Sequence, residues 1–190
     1  YFIHYYRINL DGSGLTTFTE ADANHMVRFS PDNQYYVDTY SRVDLPPVTE
    51  LRRTADGKKV CDLEKADAAE LLKTGWRYPE RFVTEGRDGK TKIYGHVVRP
   101  STFDPKKKYP MIVYMYEQLS DNVHRFVAPS DRDYYNTSVF TTQGYFVLQP
   151  DITFKPRDPG LSVVSCVTAA IKAAEAKGMI DPKKVGVIGH

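Results

Sequence analysis

From Tyr109 onward the chain alternates between short apolar runs and helix-forming stretches, and that alternation limits its fold more than any other feature. Met111-Ile112-Val113-Tyr114-Met115-Tyr116 follows Tyr109-Pro110 and reads as a buried strand. Tyr134 to Gln143 reads as a helix ended by Gly144, and Tyr145-Phe146-Val147-Leu148 as a strand stopped by Pro150-Asp151. Ser162 to Lys177, rich in Ala and closed by Gly178, is predicted to be a long helix, and Val185 to Ile188 the last strand. Ahead of these, Arg81–Thr84 and Lys92–Val98 form a predicted hairpin across Arg87-Asp88-Gly89. An antiparallel hairpin followed by βαβαβ predicts a mostly parallel sheet with helices on both faces.

The first 78 residues carry a different pattern. Tyr5–Leu10 reads as a strand running into the turn Asp11-Gly12-Ser13-Gly14, with Leu15–Thr19 as its partner. Met26–Phe29 leads through Ser30-Pro31-Asp32-Asn33 to a second strand at Tyr35–Tyr40, and Val48–Arg52 pairs with Lys59–Leu63 across Asp56-Gly57. Short aromatic-rich strands with Asp-Gly turns suit a sandwich, a barrel or a propeller, and composition does not choose among them. After Glu64 comes a short helical turn, Ala66–Leu72, with Asp67 as a cap, and then the break Gly75…Tyr78-Pro79. The expected boundary falls there, giving domains 1–78 and 79–190.

Composition excludes several functions. A net charge of +2 gives no electrostatic reason for nucleic acid or an anionic membrane as partner, and Lys106–Lys108 reads as a solvated loop. No apolar run approaches the ~20 residues of a membrane span. Cys61 and Cys166 form neither a disulfide framework nor a metal knuckle. His4, His25, His96, His124 and His190 lack metal-ligand spacing, and no phosphate or dinucleotide loop is present, so no metal and no cofactor is expected. The chain opens at Tyr1 without an initiator Met and reads as an excised piece.

What remains is hydrolase geometry. In an α/β-hydrolase the G-x-S-x-G turn lies where a buried strand bends into a helix and lifts a serine above the sheet. Gly189 and His190, after Val185–Ile188, stand as the first two letters of that turn, with the serine expected immediately after His190. Attack on a carbonyl creates an oxyanion, and each preorganised donor aimed at it is worth roughly 3 kcal/mol. Tyr116, ending an expected central strand, is placed to be one such donor; packing at a strand end is the other reading of the same residue.

These residues, in this order, resemble the prolyl oligopeptidase family of serine peptidases, which includes dipeptidyl peptidase IV and acylaminoacyl peptidase. The likeness rests on Tyr109-Pro110, the strand to Tyr116, Gly144-Tyr145, Pro150-Asp151 and Gly178-Met179-Ile180-Asp181-Pro182 through His190. Upstream, Phe29-Ser30-Pro31-Asp32, Asp56-Gly57 and Tyr40–Pro47 are similar to the blades of the β-propeller that precedes the catalytic domain in that family. The resemblance implies an α/β fold: the N-terminal half of an α/β-hydrolase sheet over 79–190, preceded by β strands from the end of a propeller over 1–78. It implies that Tyr116 contributes to the oxyanion hole, that Gly189 and His190 start the serine turn, and that His190 is not the catalytic base. The triad Asp and His are then expected downstream of the serine, and the glutamates that anchor a substrate amino terminus upstream of Tyr1.

One departure concerns specificity. Where many relatives follow the oxyanion tyrosine with a Gly-Gly-Pro-like turn, this chain has Glu117-Gln118-Leu119-Ser120-Asp121. Glu117 and Gln118 are expected near the mouth of the site, where a carboxylate repels acidic substrates, binds a basic group, or is a solvated loop charge. The expected function is hydrolysis of short peptides through an acyl-enzyme, with the propeller restricting access and peptide as the partner. The 190 residues alone are expected to be inactive, because no triad member lies within them. An esterase or other α/β-hydrolase, or a catalytically dead propeller-containing binding protein, are the alternatives. A bare apolar edge at Val187 and Ile188 is expected to favour self-association. The family implies a periplasmic or secreted location.

Overall fold

The first of six N-terminal strands, β1 (Tyr6–Arg7), pairs antiparallel with β2 (Thr16–Thr17) over two residue pairs. This is shorter than the expected Tyr5–Leu10 strand. The chain leaves the ladder because Asn9 to Ser13 closes on itself: Gly12 N–H donates to the Asn9 carbonyl at 2.9 Å and Asn9 N–H to the Ser13 carbonyl at 2.9 Å. Leu10 is left fully exposed. The computed structural model describes residues 2–116, 119, 124–132 and 135–189. Two compact units divide the chain, Tyr1–Ala68 with His124–Val127, and Ala69–Val123 with Ala128–His190.

In the first unit, β3 (Asn24–Phe29), β4 (Tyr35–Arg42), β5 (Leu45–Arg53) and β6 (Lys59–Lys65) form an antiparallel meander in chain order. The β3–β4 turn uses Ser30, whose hydroxyl donates to Asp32 at 2.6 Å, and Asn33 at φ 55°, a left-handed conformation that Asn tolerates. The β5–β6 turn is the expected Asp56-Gly57. Arg53 donates two hydrogen bonds to Asp56 and holds its carboxyl down to about 2. One face of this sheet, through His25, Tyr36, Asp38, Val48, Glu50 and Arg52, is buried, with Phe18 and Thr19 also buried. The Phe18 ring lies 5.2 Å from Tyr36 and 5.8 Å from Phe29. β6 is different: all seven of its residues are exposed.

The second unit opens with the short helix α1 (Ala69–Lys73) and continues with β7 (Glu80–Glu85), β8 (Lys92–Val98) and β9 (Tyr109–Met115). Helix α2 (Thr137–Thr141), β10 (Phe146–Pro150), helix α3 (Pro159–Glu175) and β11 (Ile180–Gly189) complete it. The five strands run in the order β11-β9-β10-β8-β7. β9 pairs parallel with both β10 and β11, whereas β8 pairs antiparallel with β10 and with β7. The sheet is therefore mixed, two parallel pairings and two antiparallel, rather than mostly parallel as expected. The hairpin attaches through β10, at the side away from β11. Gly95 permits that attachment, since a Cβ there would overlap the Gln149 carbonyl and lie 2.9 Å from Pro150 Cα.

Register explains the core. Met111, Val113, Phe146 and Leu148 stand side by side on one face, because Met111 opposes Phe146 and Val113 opposes Leu148. Ile93, Cys166, Val167, Ala170 and Ala174 join them. Cys166, Val167, Ala170 and Ala174 form one stripe of α3 at helical spacing. Each fully buried Met, Leu or Val contributes about 1.5–3 kcal/mol by leaving water. Helix α3 begins three residues before the expected Ser162, because Asp158 caps it by accepting from Leu161 N–H at 3.4 Å and Pro159 fits its first turn. β11 likewise begins before the expected Val185: Ile180 pairs with Tyr109, Asp181–Lys184 form an irregularity, and pairing resumes at Val185 with Met111. Helix α2 is shorter than the expected Tyr134–Gln143: it starts at Thr137, where Asn136 caps it by accepting from Ser138 N–H at 3.0 Å, and ends at Thr141, while Tyr134 lies outside the described residues.

Candidate active site

In an open sheet with parallel strands, the carboxyl ends form the crevice where ligands bind. β9, β10 and β11 all end at that edge here. Met115, the last residue of β9, is opposite Gly189, the last residue of β11, so Tyr116 leaves the sheet directly after the residue paired with Gly189. The two strand ends lie close together: a Cβ at Gly189 would lie 3.3 Å from Met115 Cε and 3.4 Å from the Met115 carbonyl, the first a contact that a small shift of the flexible Met115 side chain would relieve. Tyr116 is 41% exposed, so its side chain is available to solvent and not locked into the core.

Beside Tyr116 and Gly189 lies a depression of about 560 Å³, walled by Met115, Ile152, Phe154, Val163 and Val187. Its lining side chains other than Tyr116 are apolar, with polar surface exposed among them. Ile152 is buried and Phe154 is 40% exposed. Both stand in the loop after β10, which the sequence marked only as a strand stop. The signal that points to them is positional: the first residues after a parallel strand line the crevice. Tyr114, one residue before the strand end, packs its ring 5.2 Å from Tyr135.

Of the sequence-derived site residues, the structure brings Tyr116 and Gly189 together at neighbouring strand ends. His190, Glu117 and Gln118 lie outside the described residues. Among the described residues no group of three or more His, Cys, Asp or Glu is arranged to hold a metal ion. None of their helices is long and apolar enough to cross a membrane. Val187 is 52% exposed at the β11 edge of the sheet, while Ile188 is half-buried.

No protein-family model matches the chain. Two solved structures share its fold. One is a protein of Bacteroides ovatus ATCC 8483 provisionally assigned as a dipeptidyl aminopeptidase IV, with a TM-score of 0.76, 20% identity, and coverage of 97% of this chain and 28% of that one. The other is Porphyromonas gingivalis dipeptidyl peptidase 4, with a TM-score of 0.72, 20% identity, and coverage of 97% and 27%. The fold is therefore that of dipeptidyl peptidase IV-like proteins, mixed sheets with few helices, and the chain spans little more than a quarter of the length of those it matches.

Proposed function

We propose that this chain contributes the oxyanion side of the active site in a serine peptidase that cleaves short peptides. In this reading residues 79–190 are the first half of an α/β-hydrolase domain, and residues 1–78 hold the last blade of a β-propeller that limits access to the site. The observation that carries the reading is the Met115–Gly189 pairing, which sets Tyr116 next to the point where the serine turn would begin. The four-stranded meander of the first unit supports the propeller assignment, since a blade has that form. The dipeptidyl peptidase names of the two solved structures support the substrate class.

The chemistry follows from the geometry. A serine after His190 attacks the scissile carbonyl carbon, and its proton passes to a histidine base from later sequence. The carbonyl oxygen becomes an oxyanion and accepts a hydrogen bond from the Tyr116 hydroxyl. Collapse expels the amine, leaves an acyl-enzyme, and water then releases the acid. That bond strengthens as negative charge develops on the oxygen, so Tyr116 acts on the transition state more than on substrate binding.

The test uses the full-length parent. Serine is expected after His190, a fluorophosphonate probe is expected to label it, and residues 1–190 alone are expected to stay unlabelled. Tyr116→Phe should lower kcat on a chromogenic short peptide roughly 10²–10³-fold with KM little changed. A residue other than serine at that position, or ester turnover without peptide cleavage, rejects the reading.

A further inference from the structure

The four-stranded sheet contains a titratable pair that this chemistry does not use. His25 on β3 and Asp38 on β4 lie on the covered face, each with a side chain 0% exposed. His25 Nδ1 is 2.9 Å from one Asp38 oxygen and 3.0 Å from the other. His25 Nε2 is 2.8 Å from the Ala21 carbonyl oxygen. A carbonyl only accepts, so Nε2 carries a hydrogen. At Nδ1 the near-equal distances are those of one N–H shared between two carboxylate oxygens. A carboxylic acid would donate from one oxygen and turn the other away.

Among the described residues no other cation lies within ion-pair distance of Asp38, and Arg52, whose charge also feels Asp38, is engaged elsewhere. Arg52 pairs with Glu50 at 2.9 Å and Glu20 at 3.6 Å, and Lys59 with Asp62 at 2.9 Å and Glu50 at 3.5 Å. The His4 ring stands 5.1 Å from the His25 ring and its Nδ1 contacts Thr19. Tyr40 stands 5.2 Å from His25 on the same face and donates to Glu50. Tyr36 donates to the Phe18 carbonyl. His25 is the only ion-pair partner of Asp38 among the described residues. A buried carboxylate without a cation is far more costly than one with it.

We propose that His25 is held doubly protonated, as a latch with a donor at each end. One end grips the Ala21 carbonyl and the other the Asp38 carboxylate, so the segment 18–25 is fastened to the central strand β4. That segment covers the sheet through Phe18, Thr19 and Ala23, all buried, and its other ties include the Tyr36 hydroxyl on the Phe18 carbonyl, Arg42 on the Asp22 carbonyl and the β3–β4 pairing of Asn24 and His25.

Nitrogen-15 NMR on the whole chain tests this. The His25 ring is expected to show hydrogens on both nitrogens, and the amides of 18–25 to be protected from exchange. Asp38→Asn is the discriminating variant. Its amide N–H donates to Nδ1, so the ring drops to a single hydrogen on Nε2, keeps its contact with Ala21, and the fold persists. Asp38→Ala removes the counter-charge, and the amides of 18–25 should exchange about 10²-fold faster while those of β9 to β11 do not change. One ring hydrogen in the wild type, an unchanged ring in Asp38→Asn, or unchanged exchange in Asp38→Ala overturns the latch. If Asp38→Ala does not fold, the ring signals of the wild type and Asp38→Asn still decide.

Discussion

The two main sheets solve burial in opposite ways. The five-stranded sheet packs Ile93, Met111, Val113, Leu148 and Ala170 at zero exposure, an interior of hydrocarbon. The four-stranded sheet covers its face with Tyr36, His25, Asp38, Glu50 and Arg52, whose polar atoms are satisfied by the His25–Asp38 and Arg52–Glu50 pairs and by the backbone carbonyls of Phe18, Ala21 and Gly57. Burial pushes the Tyr36 and Tyr40 hydroxyls up, as expected where aromatic and ionic groups share a dry face. Hydrocarbon packing tolerates volume-conserving exchange, whereas a polar network requires every member. The four-stranded sheet is thus specified by polar pairing and the five-stranded sheet by packing fit.

The largest expected break lies in the hydrocarbon sheet. Gly95→Ala forces a Cβ into the Gln149 backbone, and its cost should be about 4 kcal/mol or more, enough to detach the β7–β8 hairpin. Loss of near-ultraviolet circular dichroism with retained Phe18 and Tyr36 signals in NMR would show that the failure is confined to the second unit.

A matched pair of substitutions sharpens the contrast. Met111→Ala removes a fully buried side chain and should cost about 3 kcal/mol by chemical denaturation. Arg52→Ala should cost a similar amount, about 3 kcal/mol, by stripping Glu50 of its closest cation. The follow-up variants separate the mechanisms. Met111→Leu should recover most of the loss, whereas Arg52→Met should recover little unless Glu50→Leu accompanies it, the test of a network against a packed core.

The smallest expected effect is on turns. Asp56 is held down to about 2, first by the Arg53 hydrogen bond, and Asp88 to about 2, first by the Thr91 backbone N–H. Both values are depressed below the ordinary 3.8, so their stabilisation is complete above that pH and is lost as pH falls toward 2. Acid titration of stability between about pH 4 and pH 2 should flatten slightly in Asp56→Asn for the first unit and in Asp88→Asn for the second.

Local chemistry made much of this fold legible. The Asp-Gly turns at 56–57 and 88–89, the alternation of Tyr35–Tyr40 and the Ala-rich helix carry their own signals, and each forms close to where it is expected. What escaped reading is non-local. Nothing near Lys92–Val98 says that β8 pairs with β10 rather than β9; a backbone approach at Gly95, more than fifty residues from its partner, decides it. The same holds for His25, which spacing could only exclude as a metal ligand, because its partner Asp38 is supplied by strand pairing. At the candidate site, Tyr116 and Gly189 were visible as strand ends, while Ile152 and Phe154 become neighbours only when three strands finish at one edge.

The fully solvated strand β6 has a consequence for behaviour in concentrated solution. Lys59, Asp62, Glu64 and Lys65 give that border four charges in seven residues, which opposes intermolecular stacking there. The opposite border of the other sheet, from Val185 to Gly189, has no charge at all. In residues 1–190 taken alone, fibril seeding is expected to begin at residues 185–189, and Val187→Lys to lengthen the lag before thioflavin fluorescence rises.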